Sequence, residues 1–117
     1  MSDLAAIRDQ YLEAWNEPDD AARLALLRRG WSADASYVDP MMSGDGHDGI
    51  SAMIGAARAT FPGHSFHPRG SVDGHGSFVR FSWSLVAGGE PVANGTDVVT
   101  TDPDGRIRGV VGFLDRP

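Results

Sequence analysis

Asp97 is a carboxyl group in the middle of a stretch, Val92–Thr101, that otherwise reads as a β-strand. Alternate strand residues face opposite ways, so Ala93, Gly95, Asp97 and Val99 share one face and Val92, Asn94, Thr96 and Val98 the other. Aspartate is depleted in strands. Among these small apolar neighbours it has two readings: a polar group on a solvated outer face, or a carboxyl group pointing into a pocket. In a pocket, burial disfavours the charged form, raises the pKa and makes the group a hydrogen-bond donor. Asp39 ends a shorter strand and precedes a loop. An aspartate placed there can act as a general base if an acidic C–H comes within reach in a site that excludes water. It can equally make an Asx turn before Pro40. An enolate formed by such a base needs donors aimed at its oxygen.

The elements that position these groups follow from periodicity. Leu4, Ile7, Tyr11, Ala14 and Trp15 recur at helical spacing and predict a helix over Asp3–Glu17, ended by Pro18. Asp19 and Asp20 offer a cap for a second helix, Ala21–Arg29, with Leu24 and Leu27 inward and Gly30 as its stop. The stretch Trp31–Val38 leads into a short strand, with Tyr37 and Val38 as β-formers and Asp39-Pro40 as its end, and Met41–His47 is expected to be a loop. Asp48 is the expected cap of a third helix, Gly49–Phe61, whose stripe is Ile50, Met53, Ile54, Ala57 and Phe61. From His64 the period becomes two. Strands are expected at Ser65–Val72, Ser77–Ala87, Val92–Thr101 and Arg106–Leu114, with turns at 73–76, 88–89 and Asp102-Pro-Asp-Gly105. Val79, Phe81, Trp83 and Leu85 share one face of their strand; Arg80, Ser82 and Ser84 share the other.

Helices first and antiparallel strands after make one α+β domain, with the helices on one face of a curved sheet. The length of 117 residues suits a single core. A net charge of −6 argues against nucleic acid or an anionic membrane as partner. With 0 cysteines there is no disulfide, thiol nucleophile or zinc–thiolate site, which fits a reducing cytoplasm. The acidic, amphipathic start has no signal pattern, and no apolar run approaches the roughly 18 residues of a membrane span. His64 and His67, three apart on an expected strand, face opposite ways and make a poor metal pair. His47 and His75 fall in expected loops and are read as solvated. Phe61, Phe66, Phe81, Trp83 and Phe113 either line a pocket or fill a core. Met41 and Met42 suit a mobile rim.

Taken in order, Tyr37-Val-Asp-Pro40, His47-Asp-Gly-Ile50, Gly95-Thr-Asp97 and Asp104-Gly-Arg-Ile107 resemble the SnoaL-like branch of the nuclear-transport-factor-two-like superfamily. The resemblance covers nearly the whole chain. It implies a cone-shaped barrel: a bent, mainly antiparallel mixed sheet wrapped around three N-terminal helices, with an apolar pocket at the open end. Three positions also look like ketosteroid isomerase: Tyr11 on the first helix, Asp39 in the Asp-Pro pair, and Asp97 eight positions before Gly105. The link Arg28-Arg-Gly-Trp31 is longer than in that enzyme. An Arg-x-Asp pair, the mark of the limonene epoxide hydrolase branch, is broken here by Arg80-Phe-Ser82.

By that resemblance Asp39 is the base, and Tyr11 with a neutral Asp97 holds the enolate oxygen. In ketosteroid isomerase an apolar site keeps one aspartate neutral in this way, so that it can donate a hydrogen bond. His67 is a further candidate acid or base, because relatives use pocket histidines. The expected lining adds Trp15, Tyr37, Met42, Ile54 and Val99 to the aromatic set. The implied function is cofactor-free isomerisation or cyclisation of a small apolar carbonyl compound, without metal. The alternatives are a ligand-binding domain without chemistry and an interaction module. Family members commonly pair through the outer sheet face, so a homodimer is expected.

Overall fold

The structure, a computed structural model, describes residues 3–115. Helices α1 (Leu4–Asn16) and α2 (Asp20–Gly30) come first, then strand β1 (Trp31–Val38), a short β2 (Ser43–Asp45) and helix α3 (Gly46–Thr60). Four long strands follow: β3 (Ser65–His75), β4 (Phe78–Ala87), β5 (Glu90–Thr101) and β6 (Ile107–Leu114). The order across the sheet is β2-β1-β6-β5-β4-β3. Among the described strands only the β1–β6 pairing is parallel. The sheet bends without closing, so the expected barrel is an open cone.

Local chemistry sets the helix ends. Asp3 Oδ1 accepts from Ala5 N at 3.0 Å, and Asp19 Oδ2 accepts from Ala22 N at 2.8 Å. The last turn of the sheet is the expected one: Gly105 N donates to Asp102 O at 2.9 Å, and Asp102 Oδ1 accepts from Asp104 N and Arg106 N.

The inward residues of β4, Val79, Phe81, Trp83 and Leu85, join Ile7, Leu12, Ile50 and Ile54 in one core. Each such side chain contributes about 1.5–3 kcal/mol by leaving water. Arg80, Ser82 and Ser84 face outward, opposite Val98, Thr96 and Asn94.

Several expectations change. Residues 43–45 are not loop but β2, pairing with Ser36–Val38. The third helix starts at Gly46 with Asp45 at its cap position, so Asp48 falls inside its first turn. β3 runs on to His75 past a register shift between Arg69 and Asp73, where Gly70 takes a φ of +75°. In α2 the largest buried residue is Arg23, 1% exposed, which bonds Ser51 Oγ, the Glu17 carbonyl and Asp20. His47 is half-buried rather than solvated, and its Nε2 meets the Trp31 carbonyl oxygen at 2.9 Å.

Candidate functional site

Tyr11 leaves α1 toward the sheet and is 2% exposed. Its ring stacks on Trp31 at 5.7 Å and meets Phe81 edge-on at 5.1 Å. These neighbours fix the direction of its hydroxyl, which donates to Asp97 Oδ2 at 2.5 Å. Asp97 is also 2% exposed. Parity on β5 turns it inward, and the ring of Trp83 beside it lies where a side chain at Gly95 would otherwise stand. The other Asp97 oxygen, Oδ1, has no protein partner among the described residues.

A second phenol–carboxylate pair faces the first. Tyr37 donates to Asp39 Oδ2 at 2.5 Å. Asp39 Oδ1 accepts from Met41 N at 2.7 Å and Met42 N at 2.9 Å, the Asx turn that Asp-Pro favours. One lone-pair direction on Oδ2 is left for another group. The two pairs approach each other over Gly112. A Cβ there would lie 2.9 Å from Asp97 Oδ1, 3.1 Å from Asp39 Cβ and 3.3 Å from the Tyr37 hydroxyl.

Burial pushes the Asp97 carboxyl up to about 6, and the charge of Asp39 adds to the rise. The hydrogen bond from Tyr11 and the neighbouring Trp83 indole hold it back. Tyr11 is raised well above the usual phenol value by burial first and the Asp97 charge second. Tyr37 is raised by burial and by its bond to Asp39.

The four groups line a cavity of about 140 Å³ between α1, α3 and the sheet. Trp15, Phe66 and Trp83 form its aromatic wall, with Trp15–Phe66 and Phe66–Trp83 centroids 5.2 and 5.1 Å apart. Asn16 fixes that wall: its Nδ2 donates to Phe66 O at 2.9 Å and its Oδ1 accepts from Phe66 N at 2.7 Å. Met42 and Phe61 complete the expected lining that the structure brings together.

Other expected lining residues lie elsewhere. Ile54, Phe81 and Val99 belong to the core rather than the cavity wall, at 0–1% exposure. Phe113 is 54% exposed on the outer face, because it pairs with outward Thr96 while its neighbours Gly112 and Leu114 point in. His67 is exposed as well. It pairs with outward Ser84, and its Nε2 meets Ser65 Oγ at 2.8 Å, so it is not a pocket acid or base. His64 lines the cavity instead, as do Arg58 and Leu114. Arg58 is legible in principle, since it lies four residues after Ile54 and three before Phe61 on the α3 stripe. Among the described residues, no group of three His, Cys, Asp or Glu side chains is placed to hold a metal ion. No described helix is long and apolar enough to cross a membrane.

The SnoaL-like domain pattern matches residues 9–110. The chain belongs to the SnoaL-like family. A SnoaL-like protein from Agrobacterium tumefaciens, named as a candidate isomerase, is 50% identical over 99% of this chain and 100% of its own, with a TM-score of 0.96. Two more distant structures share the SnoaL-like fold. One, from Sinorhizobium meliloti, is named a candidate polyketide cyclase: 20% identity, 92% of this chain, 93% of that one, TM-score 0.70. The other is a nuclear-transport-factor-two-like protein of unknown function from Exiguobacterium: 17% identity, 95% and 99% coverage, TM-score 0.74. No curated protein matches the sequence. Within this SnoaL-like domain, two carboxylates and two phenols come together in the wall of an apolar cavity, where such groups are able to move or hold a proton.

Proposed function

We propose that this SnoaL-like protein is a cofactor-free isomerase of small, apolar carbonyl compounds. Asp39 takes a proton from the carbon next to the carbonyl. The C–H electrons become the enolate double bond, and charge moves to the oxygen. Tyr11 and Asp97 receive that oxygen, and Asp39 returns the proton to a different carbon. The atoms balance without a co-reactant.

One observation carries the reading: a carboxyl group 2% exposed, bonded to a phenol, with a second carboxylate across Gly112. Burying a carboxyl costs several kcal/mol unless it is partnered or protonated, and a site that only binds apolar ligands has little use for that cost. With its pKa near 6, Asp97 holds its proton in a minority of empty sites at pH 7. A developing enolate oxygen is a strong acceptor and draws that proton onto Asp97. The 50% identical relative named as a candidate isomerase gives further support.

One observation favours a second reading, a binding domain without chemistry. Asp39 already accepts three hydrogen bonds, as a purely turn-forming aspartate does. The deciding experiment is conversion of a β,γ-unsaturated cyclohexenone to its conjugated isomer, followed by ultraviolet absorbance. Turnover lost in Asp39→Asn supports the isomerase. Ligand binding with no turnover in the wild type supports the binding domain.

A further inference from the structure

Arg58 is a cation in the cavity wall that the isomerase reading leaves without a task. Its Nη1 donates to the Trp15 carbonyl oxygen at 3.0 Å. A guanidinium carries five N–H groups. Among the described residues Arg58 makes no other side-chain hydrogen bond and no ion pair, whereas Arg8, Arg23, Arg69, Arg80 and Arg106 are each paired with an aspartate. The other described arginines without an ion pair, Arg28, Arg29 and Arg108, are exposed, while Arg58 is half-buried. A partly desolvated cation against an apolar wall is costly until an anion meets it.

Its position is also defined. Trp15 stands four residues after Tyr11 on α1, a rise of about 6 Å. Arg58 is therefore held to the α1 backbone roughly one helical turn after Tyr11. Phe61, one turn further along α3, is 39% exposed, so Arg58 lies toward an open side of the cavity. Asp39 and Asp97 also line this cavity, and their charges repel an anion placed beside them.

We propose that Arg58 anchors a carboxylate, and that the ligand is an apolar carbonyl compound carrying that carboxylate at its outer end. The carbonyl end rests on the isomerase reading; the anionic end does not. The charges also orient the ligand, with its neutral oxygen toward Tyr11 and its carboxylate toward Arg58.

The test is calorimetric binding of 2-naphthoate and of its neutral isostere, 2-naphthamide. Wild type is expected to favour the carboxylate by on the order of tenfold, the scale of one charge-assisted hydrogen bond. Arg58→Gln abolishes the preference and leaves naphthamide affinity unchanged; Arg58→Lys keeps part of it. The preference persists in Asp39→Asn, which separates this proposal from the proton-transfer reading. Equal affinities in the wild type, equal losses of both probes in Arg58→Gln, or no binding of either probe would overturn it.

Discussion

Asp97 and Gly112 stand opposite each other on β5 and β6, and a methyl group on Gly112 would come within 2.9 Å of Asp97 Oδ1. The same methyl would press on Asp39 Cβ at 3.1 Å. The absent side chain thus lets two carboxyl groups from distant parts of the chain share one end of a cavity. Gly112→Ala is expected to push them apart. Overpacking of this kind costs about 1–3 kcal/mol. Isomerase kcat should fall at least tenfold, and the pH profile should shift as Asp97 moves away from Tyr11. A lower melting temperature with unchanged kcat and pH profile would reduce Gly112 to a packing residue.

Asp97 also gives stability a pH dependence of known sign. Its carboxyl is raised from 3.8 to about 6 by the fold. Below pH 3.8 folded and unfolded chains both hold the proton, and stability is at its full value. Between 3.8 and about 6 the unfolded chain releases its proton first, so stability falls as pH rises. Above that window the loss is complete, at about 3 kcal/mol. Asp97→Asn removes the ionisation, so its unfolding free energy relative to wild type should climb across this window and then level off. Urea unfolding at pH 4, 5, 6 and 7 checks it.

The Tyr11 hydroxyl lowers the Asp97 pKa through its hydrogen bond. Tyr11→Phe should raise it further and cost about 1–3 kcal/mol at pH 7, because a buried acceptor loses its donor. Carbon-13 NMR of the Asp97 carboxyl should place its midpoint above 6 in this variant. An unchanged midpoint would mean that the two groups do not interact in solution.

On the outer face, Val38, Val111 and Phe113 are 48, 46 and 54% exposed, and Val38, Val111 and Val98 lie in register across three strands. A contiguous apolar strip of this kind suits a second copy of the chain. Sedimentation at tens of micromolar should find a dimer. Phe113→Asp should give a folded monomer. A wild-type monomer at that concentration would contradict the expectation.

The fold is largely legible in the sequence because its signals are periodic. The Ile50–Phe61 stripe and the Val79–Leu85 alternation each leave one choice of face. β2 escapes notice because Ser43-Gly44-Asp45 has neither length nor apolar pattern; it is a strand only because β1 offers it an edge. The extension of β3 depends on Gly70, whose positive φ absorbs a register shift that no local periodicity announces. In the site, Asp97 is legible from its anomaly: an acid at an inward position of a strand. Phe113 misleads because β6 is apolar on both faces. Val110 points in, Val111 and Phe113 point out, and hydrophobicity alone cannot assign parity. His67 misleads through its neighbour Phe66, which does face the cavity and thereby turns His67 away. Arg58 is hidden because a cation at the end of an apolar stripe reads as a helix-terminal charge. Its spacing from Ile54 and Phe61 is the one signal in the sequence that sets it on the inward face.

The most direct measurement is hydrogen–deuterium exchange at the carbon next to the carbonyl of 2-tetralone, followed by proton NMR in deuterated buffer at neutral pH. It needs only the first proton transfer and no knowledge of the physiological substrate. The account predicts exchange faster than in buffer with the wild type and at the buffer rate with Asp39→Asn. It also predicts a drop of about 10²–10³ with Asp97→Ala, the usual cost of a lost oxyanion donor. Wild-type exchange at the buffer rate, or undiminished exchange in Asp39→Asn, would contradict it.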